Sequence, residues 1–396
     1  MKTSVPIRHI VFPAALVLAG LAGASAFDAS VPAPGDEPKA PTPAVPAATT
    51  ARELPGIAVG DRLAVEGTLA PLEFPEERHL RNVRQLTFGG ENAEAYWSSD
   101  GTKLIYQSTH PPYACDQIFT LDLAEPKAAP RLVSTGEGRT TCAYFFPGAR
   151  RILYSSTHLG GKACPKPPDM SQGYVWALYS EYDIFSADVD GGNVRRLTDT
   201  FGYDAEATVS TDGTKIVFTS ARDGDLDVYS MNADGTGVRR LTTAVGYDGG
   251  PFFSDDGQWI VYRASHPTKA ADVESFQSLL KRFLIRPRTL EIRVMKADGS
   301  SDRQVTNLGV ASFAPFFFRG GHDRILFASN KNDPRGRNFD IFAVNADGSG
   351  LEQVTFNPTF DGFPMFSPDG TKLAFCSNRH NTRPGDTNVF VADWVP

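Results

Sequence analysis

Basic charge, cysteine and any familiar catalytic motif are what this sequence is short of. Its 396 residues carry 39 Lys and Arg against 46 Asp and Glu, a formal net charge of −7. Without a basic excess there is no electrostatic footprint for a general nucleic-acid or anionic-membrane binder. The four cysteines, Cys115, Cys142, Cys164 and Cys376, include no CxxC pair, which removes a zinc ribbon or a thioredoxin-type site. There is no Gly-x-Ser-x-Gly elbow, no His-Glu-x-x-His, no phosphate-binding loop and no dinucleotide glycine pattern. Gly136-Glu137-Gly138 lacks both the third glycine and a strand-to-helix setting. Long apolar runs are missing too. Even the stretch from Ile10 to Leu21 falls short of the roughly 20 residues a membrane span needs, so no stable span is expected. These gaps weigh against hydrolases of known type, but not against an active site assembled from scattered loops.

The ends of the chain indicate export. Lys2 and Arg8 precede the apolar stretch and Ala24-Ser25-Ala26 follows it, the pattern of a signal peptide over residues 1–26 cleaved near Ala26. The product would be periplasmic or secreted, with a charge of (39 − 2) − 46 = −9. Residues 31–56 hold seven prolines and cannot bury a core, so residues 27–80 read as a largely disordered tether. In an oxidising compartment a disulfide is expected. Two of Cys115, Cys142 and Cys164 would staple adjacent units, the pairing left open, while Cys376 inside a strand reads as a buried free thiol.

What the sequence has in abundance is repetition. A Ser-x-Asp-Gly turn recurs at Ser98–Gly101, Ser210–Gly213, Ser254–Gly257 and Ser367–Gly370, with degenerate copies at Pro147-Gly148 and Gly320-Gly321. After each comes a strand-like run: KLIYQS, RILYSS, KIVFTS, WIVYRA, RILFAS and KLAFCS. A second run follows in every unit, from QIFTLD at Gln117 to NVFVAD at Asn388, and four units continue through a glycine turn to a short Leu-Thr or Val-Thr strand. Four antiparallel strands in every unit of about 40–50 residues describe a propeller blade. Six units are visible. The last stops after its third strand, and Arg84-Gln85-Leu86-Thr87 is the candidate to complete it. The expected fold is therefore all-β, a six-bladed β-propeller over residues 81–396 closed by an N-terminal strand.

The segments YWSSDGTKLIYQS, FFSDDGQWIVYRA and MFSPDGTKLAFCS, with continuations such as DIFAVNADGSGLEQVT, resemble the Tol-type, WD-like repeats of the TolB-like bacterial propeller family. The resemblance covers about residues 84–396 and concerns the propeller alone. Residues 27–83 are too few and too proline-rich for the α/β domain that TolB places ahead of it. The family includes both protein-binding modules and propellers attached to peptidases, so the resemblance implies a fold more than an activity.

Loop length then distinguishes the two faces. Successive Asp-Gly turns lie 44 residues apart between Gly213 and Gly257, but 65 apart between Gly148 and Gly213 and 63 between Gly257 and Gly320. The excess forms loops 158–182 and 266–290 on the face opposite those turns, where binding on a rigid scaffold is expected. Loop 266–290 should hold a helix over Ala270–Leu284, with Val273, Phe276, Leu280 and Phe283 on one stripe. His110, His158, His266 and His380 each follow a second strand on this face. Counting back from the turn glycines places Asn92, Asp204, Asp248 and Asp361 at the start of the innermost strands, with Glu94 and Glu206 two residues on. Together these ten residues form the expected partner-binding face of a monomeric, non-catalytic module for a protein, peptide or envelope component, without a cofactor. The alternative is a metal-dependent lyase, lactonase or hydrolase holding one divalent ion on His158, His266 and His380.

Overall fold

The computed structural model describes residues 72–396, apart from 126–127, 172, 334–335 and 337. The expected signal peptide and most of the tether lie outside the described residues. Six four-stranded antiparallel sheets are arranged as blades. Blade 1 comprises Glu91–Trp97, Lys103–Thr109, Gln117–Asp122 and Arg131–Leu132, from the channel outwards. Blade 2 comprises Thr140–Phe145, Arg151–Ser156, Asp183–Asp188 and Arg195–Arg196. Blade 3 comprises Asp204–Val209, Lys215–Ser220, Asp227–Asn232 and Arg239–Arg240. Blade 4 comprises Tyr247–Phe253, Trp259–Ser265, Glu291–Lys296 and Arg303–Gln304. Blade 5 comprises Ser312–Phe317, Arg324–Ser329, Asp340–Asn345 and Glu352–Gln353. Blade 6 takes Asp361–Phe366, Lys372–Ser377 and Asn388–Trp394 from the C-terminus and Leu80–Gln85 from the N-terminal side.

That last pairing closes the ring, with Arg84 opposite Val391 and Gln85 opposite Phe390. A parallel bridge between Glu91 and Thr387 then joins blade 1 to blade 6. Closure leaves no exposed sheet edge between the first and last blades. Residues ahead of the ring also pack on blade 6. Glu77 is buried and accepts from both terminal nitrogens of Arg379, at 2.8 and 3.0 Å.

The repeat has a physical basis in two devices. In each Ser-x-Asp-Gly turn the serine hydroxyl donates to the aspartate while accepting from a backbone amide, as in Ser98 to Asp100 at 2.6 Å and Lys103 N to Ser98 at 2.9 Å. The glycine that follows takes φ +70° at Gly101, a conformation that glycine adopts without steric cost. Inside the blades, an aromatic pair sits directly across the second and third strands. Tyr106–Phe119, Tyr154–Phe185, Phe218–Tyr229, Phe327–Phe342 and Phe375–Phe390 have ring centres 5.6–6.0 Å apart. Such opposed pairs add about 0.2–1 kcal/mol each beyond an alanine pair. Blade 4 departs from this, opposing Tyr262 to Arg293, and both reach Asp302, the tyrosine hydroxyl at 2.6 Å.

No described helix is long and apolar enough to cross a membrane. The helix in loop 266–290 runs over Ala270–Leu280 rather than to Leu284. Leu284–Ile285 instead forms a strand paired antiparallel with Trp176–Ala177 from the other long loop.

Candidate functional site

The innermost strand of every blade carries a bulge at the same place, where its register to the second strand shifts. The bulged residues are Glu94, Cys142, Glu206, Gly250, Ala314 and Phe363, all with φ between +49° and +59°. Five of the six are not glycine. That conformation costs a side-chain-bearing residue on the order of 1 kcal/mol or more, and a bulge re-aims the side chain it carries. Around the channel this gives an acidic and thiol arc from blades 1–3 and an apolar arc from blades 5 and 6.

The glycine in blade 4 is explained by its neighbour. A Cβ on Gly250 would lie 2.4 Å from Nη1 of Arg263, so the arginine occupies the space a side chain would take. Arg263 forms an ion pair with Glu206 from blade 3. Its guanidinium carbon stands 5.3 Å from the Trp176 ring and 5.5 Å from the Tyr247 ring. Glu206 also accepts from the Tyr247 hydroxyl at 2.9 Å, Thr219 at 2.7 Å and the Gly250 amide at 3.0 Å. With three further donors beside the arginine, its charge is fully engaged.

Over this floor lies a cavity of 470 Å³. Its roof is made by the paired loops, through Tyr174 and Trp176–Leu178 from blade 2 and Ile285, Pro287 and Arg288 from blade 4, so that the two bridge over blade 3. The walls include Tyr182, Tyr203, Tyr247, Phe313 and Phe363, with the buried ion pair Arg139–Asp116 at 2.5 Å on one side. The open cysteine question resolves here. Cys115 and Cys164 are bridged with their Cα atoms 6.0 Å apart, tying the blade 2 loop to blade 1. Cys142 stays a free thiol in the cavity, and Cys376 is free and buried within its strand.

Glu94 differs electrostatically from Glu206. Burial pushes its carboxyl up to about 7, opposed by the Cys142 thiol and by Arg263, while the nearby charges of Glu206 and Asp116 add to the rise. Burial and the flanking carboxylates likewise push the Cys142 thiol well above its ordinary range. Among the described residues no Arg, Lys or His forms a salt bridge with Glu94.

The other sequence-derived residues lie elsewhere. Asn92, Asp204, Asp248 and Asp361 are at most 2% exposed, each bonded within the protein rather than presented to the mouth. Asn92 donates to the Gly89 and Thr387 carbonyls at 3.0 and 2.8 Å. Asp204 accepts from Arg222 on both oxygens at 3.0 Å and from Ser220 Oγ on Oδ1 at 2.5 Å. Asp248 meets Nε2 of His266 at 2.7 Å, and Asp361 meets Arg379 at 2.8 Å. That hydrogen bond raises the pKa of His266, and burial raises that of Asp248. His158 is buried against Phe185, 4.5 Å between rings, with Nδ1 on Ser156 Oγ at 2.8 Å. Burial pulls its pKa down to about 4. His110 is half-buried, Nδ1 at 2.8 Å from the Pro111 carbonyl.

His380 does not occupy the position of the other three. Counted from the last second-strand residue paired with the third strand (Ser108, Ser156, Ser220, Ala264, Ser329 and Ser377), the residue two further on is His110, His158, Arg222, His266, Lys331 and Arg379. Arg379 is the equivalent, and counting histidines alone hid it. Among the described residues no group of three or more His, Cys, Asp or Glu side chains is placed to hold a metal ion, so His158, His266 and His380 are not brought together. The reading by sequence also missed Arg263, whose signal was the glycine pair Gly249-Gly250 interrupting an aromatic strand.

Comparison with known proteins agrees on the repeat. The TolB beta propeller domain family matches residues 167–278. A "Protein TolB homolog" of Chlorobium luteolum is 44% identical over 54 residues, a stretch covering 14% of this chain and 12% of that protein's length. The solved structure of a TolB-assigned protein from Agrobacterium tumefaciens is 20% identical, covers 78% of this chain and 91% of its own, and superposes with a TM-score of 0.50. TolB from Acinetobacter baumannii is 17% identical over 68% of this chain and 56% of its own, with a TM-score of 0.49.

Proposed function

Because the chain is a TolB-like six-bladed propeller with a capped cavity on its long-loop face, we propose that it is an exported binding module. It takes part of a protein or peptide ligand beneath the paired loops. One observation carries this reading: the two longest loops come from blades that are not neighbours, yet they pair with each other and roof a cavity. A loop enlarged only to cover its own blade has no need of that partner. The bulged ring places differing chemistry under the roof at a backbone cost, which is the pattern of a site held ready rather than of a packed core. Export is supported by the signal-like residues 1–26 and by the Cys115–Cys164 bridge, which suits an oxidising compartment.

The test is a selection of displayed random peptides against the full chain, followed by affinity measurement on a variant with the cavity filled. Ala177→Trp places a large ring from the roof strand into the space. Selected peptides should bind the variant at least about tenfold more weakly, the loss of 1.4 kcal/mol or more expected when a buried anchor is excluded. Peptides that bind both proteins equally would place the binding site elsewhere.

A further inference from the structure

Resting on the reading that the capped cavity is the binding site, we propose that it accepts a primary ammonium group carried on an apolar stem, with Glu94 as its anionic seat. The charges inside the cavity decide the sign. Arg139 is taken up by Asp116 at 2.5 Å, and Arg263 by Glu206. Once those pairs are set aside, Glu94, 9% exposed, is the buried carboxyl of the lining that is left over, while Arg288 and Lys331 are exposed and Asp333 is half-buried. The groups facing it are the Cys142 thiol from blade 2, Glu206 from blade 3, Arg263 from blade 4 and Asp116 from the blade 1 loop. None of them supplies a free positive charge. Burial without a paired cation drives this carboxyl towards its neutral form, and a ligand ammonium would hold it ionised. A ligand carboxylate would instead face two glutamates, with the buried arginines Arg139 and Arg263 already engaged.

The surroundings fit the stem. Phe363 is the bulged residue of blade 6, which flanks Glu94 on the side away from Cys142, and Tyr203, Tyr247 and Phe313 add aromatic walls. Aromatic faces attract cations and also pack an alkyl or aryl chain. The volume of 470 Å³ lies within the roughly 300–1,000 Å³ of small-ligand sites. Arg288 and Lys331 line the cavity at its outer rim and are exposed, so water screens them from the floor.

The experiment is calorimetric titration of the full chain with three probes sharing one aromatic body: 2-phenylethylamine, 2-phenylethanol and 3-phenylpropanoate. The amine should bind about 10- to 100-fold more tightly than the alcohol, the ratio expected of a charge-assisted hydrogen bond, and the acid more weakly than either. Glu94→Gln should erase the preference for the amine while keeping affinity for the alcohol. A second arm uses a capped peptide with a single lysine and its norleucine counterpart. Preference for lysine makes a protein side chain the source, and preference confined to the arylalkylamine makes it a free amine. Equal or tighter binding of the alcohol or the acid, or no binding of either amine at millimolar concentration, would overturn the assignment. The probe comparison uses the unaltered protein, so it does not depend on how the variant folds. Alcohol binding that Ala177→Trp blocks would leave the cavity reading standing while removing the ammonium class.

Discussion

Replacing Gln353 by arginine should stabilise the propeller, because among the described residues the outer strand of blade 5 has no counterpart to the arginine that blades 2 and 3 carry there. The third strand of each of these blades begins with a buried aspartate, Asp183, Asp227 and Asp340. In blades 2 and 3 an outer-strand arginine meets it, Arg196 to Asp183 at 2.5 Å and Arg240 to Asp227 at 2.6 Å. The equivalent residue in blade 5, opposite Phe342 as Arg196 is opposite Phe185, is Gln353. Asp340 is 3% exposed and its Oδ1 has no hydrogen-bond partner among the described residues. Burial, with Asp361 and Glu77 nearby, pushes its pKa up to about 8 from 3.8, against the opposing charge of Arg379. A carboxyl whose folded pKa is raised binds a proton on folding, so its contribution is best below about 4 and stability is lost as pH rises towards 8. At pH 7 the shift covers 7 − 3.8 = 3.2 units, an upper bound of about 4 kcal/mol at about 1.4 kcal/mol per unit. An arginine pays its own desolvation, so a gain of about 1–2 kcal/mol at pH 7 is expected, shrinking to nothing near pH 4. Urea unfolding of both proteins from pH 4 to 8 reads the difference directly. A gain that is constant with pH, or that grows as pH falls, would refute the reasoning.

Three further outcomes follow from the buried groups. Arg379→Ala strands Glu77 and Asp361 and should cost about 3–5 kcal/mol by chemical denaturation; a loss under about 1 kcal/mol would mean the triad is solvated. Removing the Cys115–Cys164 bridge with paired serines frees a 49-residue separation, worth up to about 4 kcal/mol in chain entropy. It should also speed proteolysis within 158–182, and an unchanged cleavage rate there would show that the paired strands alone hold the roof. His158, depressed to about 4, should remain neutral at pH 6 by nuclear magnetic resonance, and its contribution to stability is lost only as pH falls from about 6.5 towards 4; titration near 6.5 would contradict its burial.

Much of the scaffold was written plainly in the repeat. The strand runs, the turn glycines and the borrowing of Arg84-Gln85 by the last blade depend on local pattern, which a single sequence displays. The long-loop face was legible for the same reason, since spacing between turns is a count. What escaped depends on contacts between loops. Trp176–Ala177 and Leu284–Ile285 are two residues each, too short for any alternation to register, and their pairing is fixed only by blades 2 and 4 already standing in place. The helix expected to Leu284 ends at Leu280: Phe283 and Leu284 continue its apolar stripe in sequence, but Leu284 pairs with Ala177. Glu94 and Glu206 were found by counting, but Cys142, Gly250, Ala314 and Phe363 at the same position were passed over because they are not acidic. The aspartates were found too, while their burial depends on Arg222, His266 and Arg379 reaching back from the second strands.

The most direct test of the account is hydrogen–deuterium exchange on the full chain, with and without a saturating peptide from the display selection. Slower exchange confined to residues 174–178 and 284–290 and to the bulged strands around Glu94, Cys142 and Glu206 is the predicted result. Protection on the opposite face, at the Ser-x-Asp-Gly turns, with the paired loops unchanged would contradict it.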